Sequence, residues 1–408
     1  MRQQLQARKL KGSLRTLKQT STTDELHDFS SNDYLDLSTS TVLRGLYEGY
    51  MRKEQSLAST GSRLLSGNNS LVGQIEAEAK HYWKSEEALV CSSGYEANVS
   101  IFNCLPQPGD TIIYDELIHA SVHVGMKNSR ATHKAKFRHN DLVHLAQLLR
   151  SEASKGPSRS VFIAIETVYS MDGDLAPLLK ILKIIRRECP WARLVLDEAH
   201  ATGIFGDFGQ GLAFELGLHD APEILLRLHT FGKGAAGTGA VIVCDALVKQ
   251  YLLNYAKGLI YSTFMAKPAL CLARASLKML SSGQARNAQE ALLDKMRYTQ
   301  KALNVLSHSH SLTLPSQVCS PVIPVLTPQA VELSSYLQRQ GFRVLPVRYP
   351  TVAKGRERLR ICLRSNIDHK VIDDLISAMD LWVTCEDLLD KEKEKSVESN
   401  DMISTAKI

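Results

Sequence analysis

Short apolar runs alternate with longer amphipathic stretches over residues 70–245. Six runs are typical of buried strands and lie at residues 87–91, 111–115, 160–167, 193–198, 224–231 and 239–244. Between them, apolar residues recur at helical spacing, as in residues 175–189, which predict a crossover helix. The alternation predicts an α/β fold with a mostly parallel sheet covered by helices on both faces. In such sheets, ligands bind beyond the carboxyl ends of the strands.

The pattern changes after Lys257. Residues 267–282 and 287–309 predict two long helices, because their apolar positions repeat at helical spacing. Two further strands are expected at residues 320–327 and 357–364. The C-terminal third therefore predicts a smaller α+β unit.

These changes suggest a division of the chain into domains. We expect a large α/β domain over residues 56–284 and a small α+β domain over residues 285–390. Residues 1–55 are expected to join the small domain. Residues 391–408 are polar and charged, and this composition predicts a disordered tail.

Composition narrows the class of protein. The chain has 408 residues, of which 44% are hydrophobic and 23% charged, as in ordinary globular proteins. Its eight cysteines form no C-x-x-C pair, which favours a reducing compartment. We expect neither a membrane-spanning nor a secreted protein, since no apolar stretch reaches 18 residues and no signal-peptide pattern is present.

The formal charge of +6 is spread along the chain. Its densest basic cluster is N-terminal and includes Arg15. This cluster is either a solvated helix face or a contact for an anionic substrate. The sequence lacks the basic density and interleaved aromatic residues of a nucleic-acid surface, so we expect no nucleic-acid partner.

A carboxylate follows the strand at 193–198. Asp197 ends this strand, and His200 comes three residues later in the sequence "DEAHATG". The carboxylate could bind a metal, act as a base, pair with a protonated ring nitrogen, or cap the following turn. A D-x-x-H pair alone is a weak metal signal, so we expect no metal site.

A lysine follows the strand at 224–231. Lys233 lies in "HTFGKGAAGTG", among small residues. The Walker spacing of a phosphate-binding loop is absent. A lysine in a loop that excludes water has a lowered pKa and can form a covalent bond with an aldehyde. Taken alone, a lysine at this place is more often a surface residue.

Three more strand ends carry polar residues. Ser93 and Gly94 begin a predicted helix, where free N–H groups suit a phosphate. His119 follows the strand at 111–115 and could stack on a planar cofactor or be structural. Glu166 and Ser170 follow a third strand. The combination supplies what is needed to hold pyridoxal phosphate (PLP): a phosphate cradle, a stacking ring, an acid and a lysine.

Nearly the whole chain, from about residue 5 to 385, resembles the α-oxoamine synthases, PLP enzymes that condense an amino acid with an acyl-CoA. The resemblance rests on ordered motifs: "FSSNDYLDLS", "GSRLLSGN", "SSGYEAN", "HAS", "FRHND", "YSMDGDLAP", "DEAHATGIFG", "TFGKG", "LIYST" and "PTVAKGRERLRICL". It implies the fold type I of PLP-dependent transferases, with a seven-stranded, mostly parallel sheet and a smaller α+β domain.

The resemblance also implies residue roles. Lys233 would hold the cofactor covalently and move the substrate's α-proton. Asp197 would pair with the pyridinium nitrogen, His119 would stack on the ring, and His200 would bond to the phenolic oxygen. Further cofactor contacts are implied for Ser93, Gly94, Tyr95, Ser170 and Thr230.

Other implied roles concern the substrate and a second subunit. Thr263 matches a residue that reaches the phosphate of a neighbouring subunit, which implies a homodimer with shared active sites. Glu166 matches an acid near the reacting centre. Arg360 would bind the amino acid carboxylate through its bidentate fork. Arg15 and Thr351 match other substrate-binding positions.

The resemblance favours one reaction within the family. "TFGKG" and "LIYSTFM" are most similar to the branch that joins L-alanine to pimeloyl-CoA in biotin biosynthesis. Alternatives are a glycine C-acetyltransferase, a synthase that takes fatty or polyketide acyl thioesters, and a non-catalytic family subunit. Three departures from the family pattern occur, at Gly73, at Ala266–Lys267 and at Ala353. The last two lie near regions that we expect to shape the path of the acyl chain.

The chain ends in Ala406-Lys407-Ile408. This tripeptide resembles the S-K-L type of peroxisomal address, although short endings can match by coincidence. We expect a peroxisomal protein if the source is eukaryotic and a cytoplasmic one otherwise.

Overall fold

All six apolar runs of the N-terminal two thirds form strands. The computed structural model describes residues 1–10, 14, 17, 26–308 and 311–385. The strands in these ranges are β1 (His27–Asp28), β2 (Glu87–Cys91), β3 (Thr111–Asp115), β4 (His133–Phe137), β5 (Val161–Glu166), β6 (Arg193–Asp197), β7 (Ile224–Thr230), β8 (Ala240–Cys244), β9 (Val322–Leu326), β10 (Phe342–Arg343), β11 (Leu345–Val347) and β12 (Arg358–Cys362).

Helices follow most of the strands. Their bounds are α1 (Arg2–Leu10), α2 (Thr41–Met51), α3 (Ser70–Tyr82), α4 (Gly94–Cys104), α5 (Ala120–Lys127), α6 (Leu142–Ala153), α7 (Leu178–Glu188), α8 (Leu212–Glu215), α9 (Ala246–Tyr255), α10 (Lys257–Tyr261), α11 (Lys267–Ser281), α12 (Arg286–Ala302) and α13 (Ala330–Arg339). Residues 369–385 are also helical. Short 3₁₀ helices span Leu37–Thr39 and Leu303–His308.

Seven strands form one sheet in the order β2-β8-β7-β6-β5-β3-β4. Neighbours from β7 to β4 are parallel, and β8 runs antiparallel to both β2 and β7. The sheet is therefore mostly parallel, and the predicted α/β fold is confirmed. Because β5, β6 and β7 are adjacent and parallel, the residues that follow them meet at one edge.

Alternate side chains of the central strands pack on opposite faces of this sheet. On β5, Phe162 and Ala164 join a core formed with α4, α5 and α9, whereas Ile163 and Ile165 join one formed with α6 and α7. Both faces are therefore covered by helices, which explains why these strands are apolar without alternation.

A second sheet lies C-terminal to the first in the chain. It contains β9, β11 and β12 in the antiparallel order β11-β12-β9. Strand β1 pairs with β10 in parallel, so residues near the N-terminus contact this C-terminal region. The proposed domain limits stay a prediction.

Within residues 70–245, two details differ from the sequence expectations. Strand β4 was not predicted, because it is an edge strand with three exposed residues and no apolar run. Helix α7 begins at Leu178 rather than at residue 175. Leu175 forms a β-bridge with Val168, and Pro177 occupies the cap position before the helix.

Some predictions concern residues outside the described ranges. They are the role of Arg15, the disorder of residues 391–408 and the C-terminal address at Ala406-Lys407-Ile408. These three stay predictions. No described helix is long and apolar enough to cross a membrane.

Candidate active site

A cavity of about 310 Å³ lies beyond the ends of β5, β6 and β7, where α/β sheets bind ligands. It brings together nine of the residues singled out in the sequence: Ser93, Gly94, Tyr95, His119, Glu166, Asp197, His200, Thr230 and Lys233. Residues from five separate segments therefore line one space.

Lys233 lies in the loop between β7 and β8. Its Nζ is 2.9 Å from Nε2 of His200. Burial lowers the pKa of Lys233, and the positive charge of Arg360 acts in the same direction, whereas Asp197 and Glu166 oppose the shift. The amine is therefore more readily deprotonated than an ordinary lysine, as a nucleophile or base requires.

His200 is buried beside this lysine. Burial lowers the pKa of His200 well below its usual range, with further contributions from Lys233 and Arg360. Its Nδ1 lies 2.7 Å from the hydroxyl of Tyr34. The imidazole is therefore neutral at physiological pH, and Tyr34 fixes the position of the ring.

Asp197 ends β6 with its carboxylate directed to two donors. Oδ2 accepts a hydrogen bond from Nδ2 of Asn98 at 2.7 Å, and Oδ1 accepts one from the backbone N–H of Ala199 at 3.0 Å. The same Asn98 amide also donates to Ser121 Oγ at 3.1 Å. These bonds hold the carboxylate in one orientation. Among the described residues, no group of three or more potential ligands forms a metal site.

Glu166 is the neighbour of Asp197 in the strand pairing of β5 with β6. Its Oε2 accepts a hydrogen bond from the backbone N–H of Ser170 at 3.2 Å, and its buried Oε1 has no hydrogen-bond partner among the described residues. Burial raises the pKa of Glu166 well above its usual range, and the charge of Asp197 adds to the shift. The protonated form of this carboxyl group is therefore favoured compared with an ordinary glutamate.

The N-terminus of α4 faces the cavity. Ser93 caps this helix by accepting a hydrogen bond from the backbone N–H of Glu96 at 3.1 Å. A Cβ atom at Gly94 would lie 2.5 Å from Cγ2 of Thr230, so glycine is required for this close approach. The first N–H groups of a helix have no acceptor within it and attract anions.

His119 caps the N-terminus of α5. Its Nδ1 lies 2.7 Å from Ser121 Oγ, and Tyr95 contacts its ring edge-on with centroids 6.3 Å apart. Burial lowers the pKa of His119, Asp197 opposes this shift, and Lys233 reinforces it. A neutral imidazole at this place can pack against a planar ligand.

Ser170 and Arg360 lie beside the cavity rather than among its lining residues. Nε of Arg360 donates to the backbone oxygen of Ser170 at 2.7 Å, and Nη1 and Nη2 donate to Oδ1 of Asn32, each at 3.1 Å. Thr263 and Thr351 are exposed and do not line the cavity of this chain. Their predicted roles stay predictions.

The sequence analysis does not single out Asn98 and Tyr34, which contact Asp197 and His200. Asn98 lies one helical turn after Gly94 and Tyr95 on α4, so this spacing could have indicated that it faces the same cavity. Tyr34 lies within the motif "FSSNDYLDLS", but no local pattern connects it with His200.

The residues of this cavity suit the separate functional groups of PLP. The helix start at Gly94 suits a phosphate, and the oriented carboxylate of Asp197 suits a protonated ring nitrogen. The amine of Lys233 suits an aldehyde, and His200 beside it suits a phenolic oxygen. The absence of a side chain at Gly94 allows the start of α4 to approach Thr230 closely.

Comparison with known proteins also indicates a PLP-dependent enzyme. Residues 24–379 match the model of the family "Aminotransferase class I and II". An 8-amino-7-oxononanoate synthase from Emericella nidulans is 39% identical over 368 residues, which cover 87% of this chain and 89% of that protein. The aminoacyl transferase sphA from Aspergillus fumigatus is 35% identical over 381 residues, which cover 88% of this chain and 81% of that protein.

Solved structures agree on the fold. A serine palmitoyltransferase from S. paucimobilis, determined with PLP and myriocin, superposes with a TM-score of 0.81 at 22% identity and covers 92% of this chain and 94% of its own. The chain belongs to the class I and II aminotransferase family. Within that family it is an α-oxoamine synthase, a PLP-dependent acyltransferase.

Proposed function

We propose that the protein condenses L-alanine with pimeloyl-CoA, or another pimeloyl thioester, and releases 8-amino-7-oxononanoate, CoA and CO₂ in biotin biosynthesis. The match to the 8-amino-7-oxononanoate synthase of Emericella nidulans supports this substrate pair. The observation that carries the chemistry is the cavity in which Lys233 lies beside His200 while Asp197 accepts two hydrogen bonds.

Each residue near the reacting centre has a stated part in this proposal. When bound, PLP takes up the electron pair released at the α-carbon of the amino acid. Lys233 anchors the cofactor and removes the α-proton, and its lowered pKa favours the neutral amine that both roles need. Asp197 supplies the negative charge that keeps a ring nitrogen protonated.

Substrate binding is proposed for the groups at the edge of the cavity. The guanidinium of Arg360 provides a planar set of donors suited to the carboxylate of alanine. The raised pKa of Glu166 favours its uncharged form, which can donate a hydrogen bond near the reacting carbon without adding negative charge. Neutral His119 packs against the flat face of the cofactor and shields it from water.

A second candidate is a synthase for a different acyl thioester. The aminoacyl transferase sphA aligns over nearly the same share of the chain as the biotin-pathway relative. The sequence departures at Ala266–Lys267 and Ala353 also fall where we expect the acyl chain to pass. A glycine C-acetyltransferase has the same chemistry with shorter substrates.

A non-catalytic role is the alternative from another class. A non-catalytic subunit does not need a lysine, a carboxylate and two histidines in one cavity. In this chain the cavity is lined by all four, which are Lys233, Asp197, His119 and His200. We further propose that two copies share their active sites, with Thr263 serving the partner. Its exposure in the single chain is compatible with this role.

The test is a substrate screen with PLP-loaded protein. L-alanine, glycine and L-serine are each combined with acetyl-CoA, pimeloyl-CoA and palmitoyl-CoA, and CoA release and products are measured. The proposal expects 8-amino-7-oxononanoate from alanine and pimeloyl-CoA, with the highest kcat/KM of the nine pairs. Preferred turnover of serine with palmitoyl-CoA, or of glycine with acetyl-CoA, would overturn the substrate assignment.

A further inference from the structure

The motif "FRHND" places a histidine between two carboxylates outside the cavity. Nδ1 of His139 lies 2.9 Å from Oδ1 of Asp115, and Nε2 lies 2.7 Å from Oδ2 of Asp174. Ionised carboxylates only accept hydrogen bonds, so a histidine that contacts two of them donates from both nitrogens. His139 is thus an imidazolium bridging two segments that are far apart in the chain.

The first carboxylate controls the turn that leads to His119. Asp115 is completely buried at the end of β3. Its Oδ1 also accepts a hydrogen bond from the backbone N–H of Leu117 at 2.9 Å, and its Oδ2 accepts one from Asn140 at 2.9 Å. The orientation of this carboxylate therefore determines the path of the chain two residues before His119.

The second carboxylate controls the turn that carries Ser170. Backbone hydrogen bonds join Tyr169 with Asp174 at 3.0 Å and Gly173 with Tyr169 at 2.8 Å, so residues 169–174 form one closed turn. Within it, the backbone N–H of Ser170 donates to Glu166, and its backbone oxygen accepts from Arg360. A shift of this turn therefore moves both a cavity acid and the arginine proposed to bind substrate.

The same turn contacts the C-terminal sheet. Asp172 forms an ion pair with buried Arg358 at 2.6 Å. A Cβ atom at Gly173 would overlap the backbone oxygen of Val322, which leaves no room for the turn to move toward β9. His139 adds a further restraint on the turn through its contact with Oδ2 of Asp174.

We propose that His139 is a positioning residue for the amino acid substrate. As an imidazolium it joins Asp115 to Asp174 and thereby fixes the turns that carry His119 and Ser170, and through Ser170 it orients Arg360. The inference rests on the proposed function only in that Arg360 binds the amino acid carboxylate. His139 contacts neither substrate nor cofactor, because it does not line the cavity.

The charged groups around His139 support a fixed imidazolium. Asp115 and Asp174 face its two nitrogens, and the edge of its ring packs on Tyr169 with centroids 4.4 Å apart. Asn140 reinforces the pair by donating to Asp174 at 2.8 Å. Glu116 accepts from the backbone of His139 and pairs with Lys136, so its charge is engaged elsewhere.

The experiment compares His139→Gln and Asp174→Asn with a control, His133→Gln, which changes an exposed histidine on β4. Steady-state kinetics are measured separately for the amino acid and for the acyl-CoA. We expect KM for the amino acid to rise roughly tenfold to a hundredfold in both test variants, as for a displaced binding group, while KM for acyl-CoA stays unchanged. A merely structural role would lower the active fraction, and thus kcat, without this selective effect.

A second measurement does not depend on the substrate. Hydrogen–deuterium exchange of the protein without PLP should show faster exchange at residues 169–175 and 115–119 in both test variants, and unchanged exchange elsewhere. Unchanged exchange in these segments, or an unchanged amino acid KM, would overturn the proposal. If the substrate screen fails but exchange rises as expected, the proposed function fails and the link between the two turns stands.

Discussion

The hydroxyl of Tyr34 lies 2.7 Å from Nδ1 of His200, although 166 positions separate the two residues. Tyr34 is fully buried and also contacts Oδ1 of Asn32 at 3.1 Å. His200 in turn lies beside Lys233. A single hydroxyl thus connects the N-terminal segment with the amine at the centre of the site.

Replacing Tyr34 by phenylalanine should therefore affect both stability and the site. The change leaves buried polar atoms without their partner, so the free energy of unfolding should fall by about 1–3 kcal/mol. Urea unfolding of the protein without PLP measures this effect. Tyr255→Phe, at a half-exposed tyrosine, is the control. Equal stability of Tyr34→Phe and the control would contradict the assigned hydrogen bonds.

Asn98 should contribute to cofactor affinity through Asp197. Asn98→Ala removes a 2.7 Å hydrogen bond to the carboxylate that we pair with the ring nitrogen. Hydrogen bonds to charged groups contribute about 1.5–3 kcal/mol, so the Kd for PLP should rise roughly tenfold to a hundredfold. Fluorescence titration with PLP measures it, with Asn254→Ala, an exposed asparagine, as control. A Kd equal to that of the wild type would exclude this role.

Glu166 provides a test of the protonation state. Because its pKa is raised well above 4.5 in the folded state, folding retains a proton that the unfolded chain loses as the pH rises. Wild-type stability should therefore decline relative to Glu166→Gln as the pH increases above about 4.5. Unfolding free energies at several pH values measure this, with Glu290→Gln at an exposed site as control. A constant difference across pH would show that folding does not raise the pKa of Glu166.

His139 should show a pH dependence of the same sign in a higher pH range. Burial lowers its pKa, but the hydrogen bonds and charges of Asp115 and Asp174 outweigh this effect and raise the pKa of His139 to about 10. The stabilisation is therefore fully present below about pH 6.5, the pKa of an unfolded histidine, and is lost as the pH rises through about 10. The stability advantage of the wild type over His139→Gln should shrink over this range. An advantage that grows with pH would contradict a charged His139.

The sequence predicted the strands whose side chains are buried on both faces, because burial produces continuous apolar runs. It did not predict β4, whose residues His133–Phe137 are mostly exposed and pair along one side only. The late start of α7 also escaped prediction, since it depends on the bridge of Leu175 with Val168. Such pairings depend on contacts within the folded chain and have no signature in local periodicity.

The candidate site was predictable where its residues follow strands. Asp197, Lys233 and Glu166 each lie at or just after a strand end, and the parallel sheet brings them to one edge. Tyr34 was not predictable in this way, because it contacts His200 only once the N-terminal segment is packed in the folded chain. The family resemblance indicated residues such as Thr351 by position, but the single chain shows no cavity contact for it.

The central claim is that Lys233 anchors PLP covalently. The direct measurement is peptide mass mapping after borohydride reduction of the PLP-loaded protein, with the visible absorbance of the bound cofactor recorded before and after. We expect the pyridoxyl mass on the peptide that contains Lys233, loss of the visible band, and neither signal in Lys233→Ala. The control Lys134→Ala, at an exposed lysine of β4, should behave as the wild type. A pyridoxyl group on another lysine, or an unchanged band in Lys233→Ala, would contradict the account.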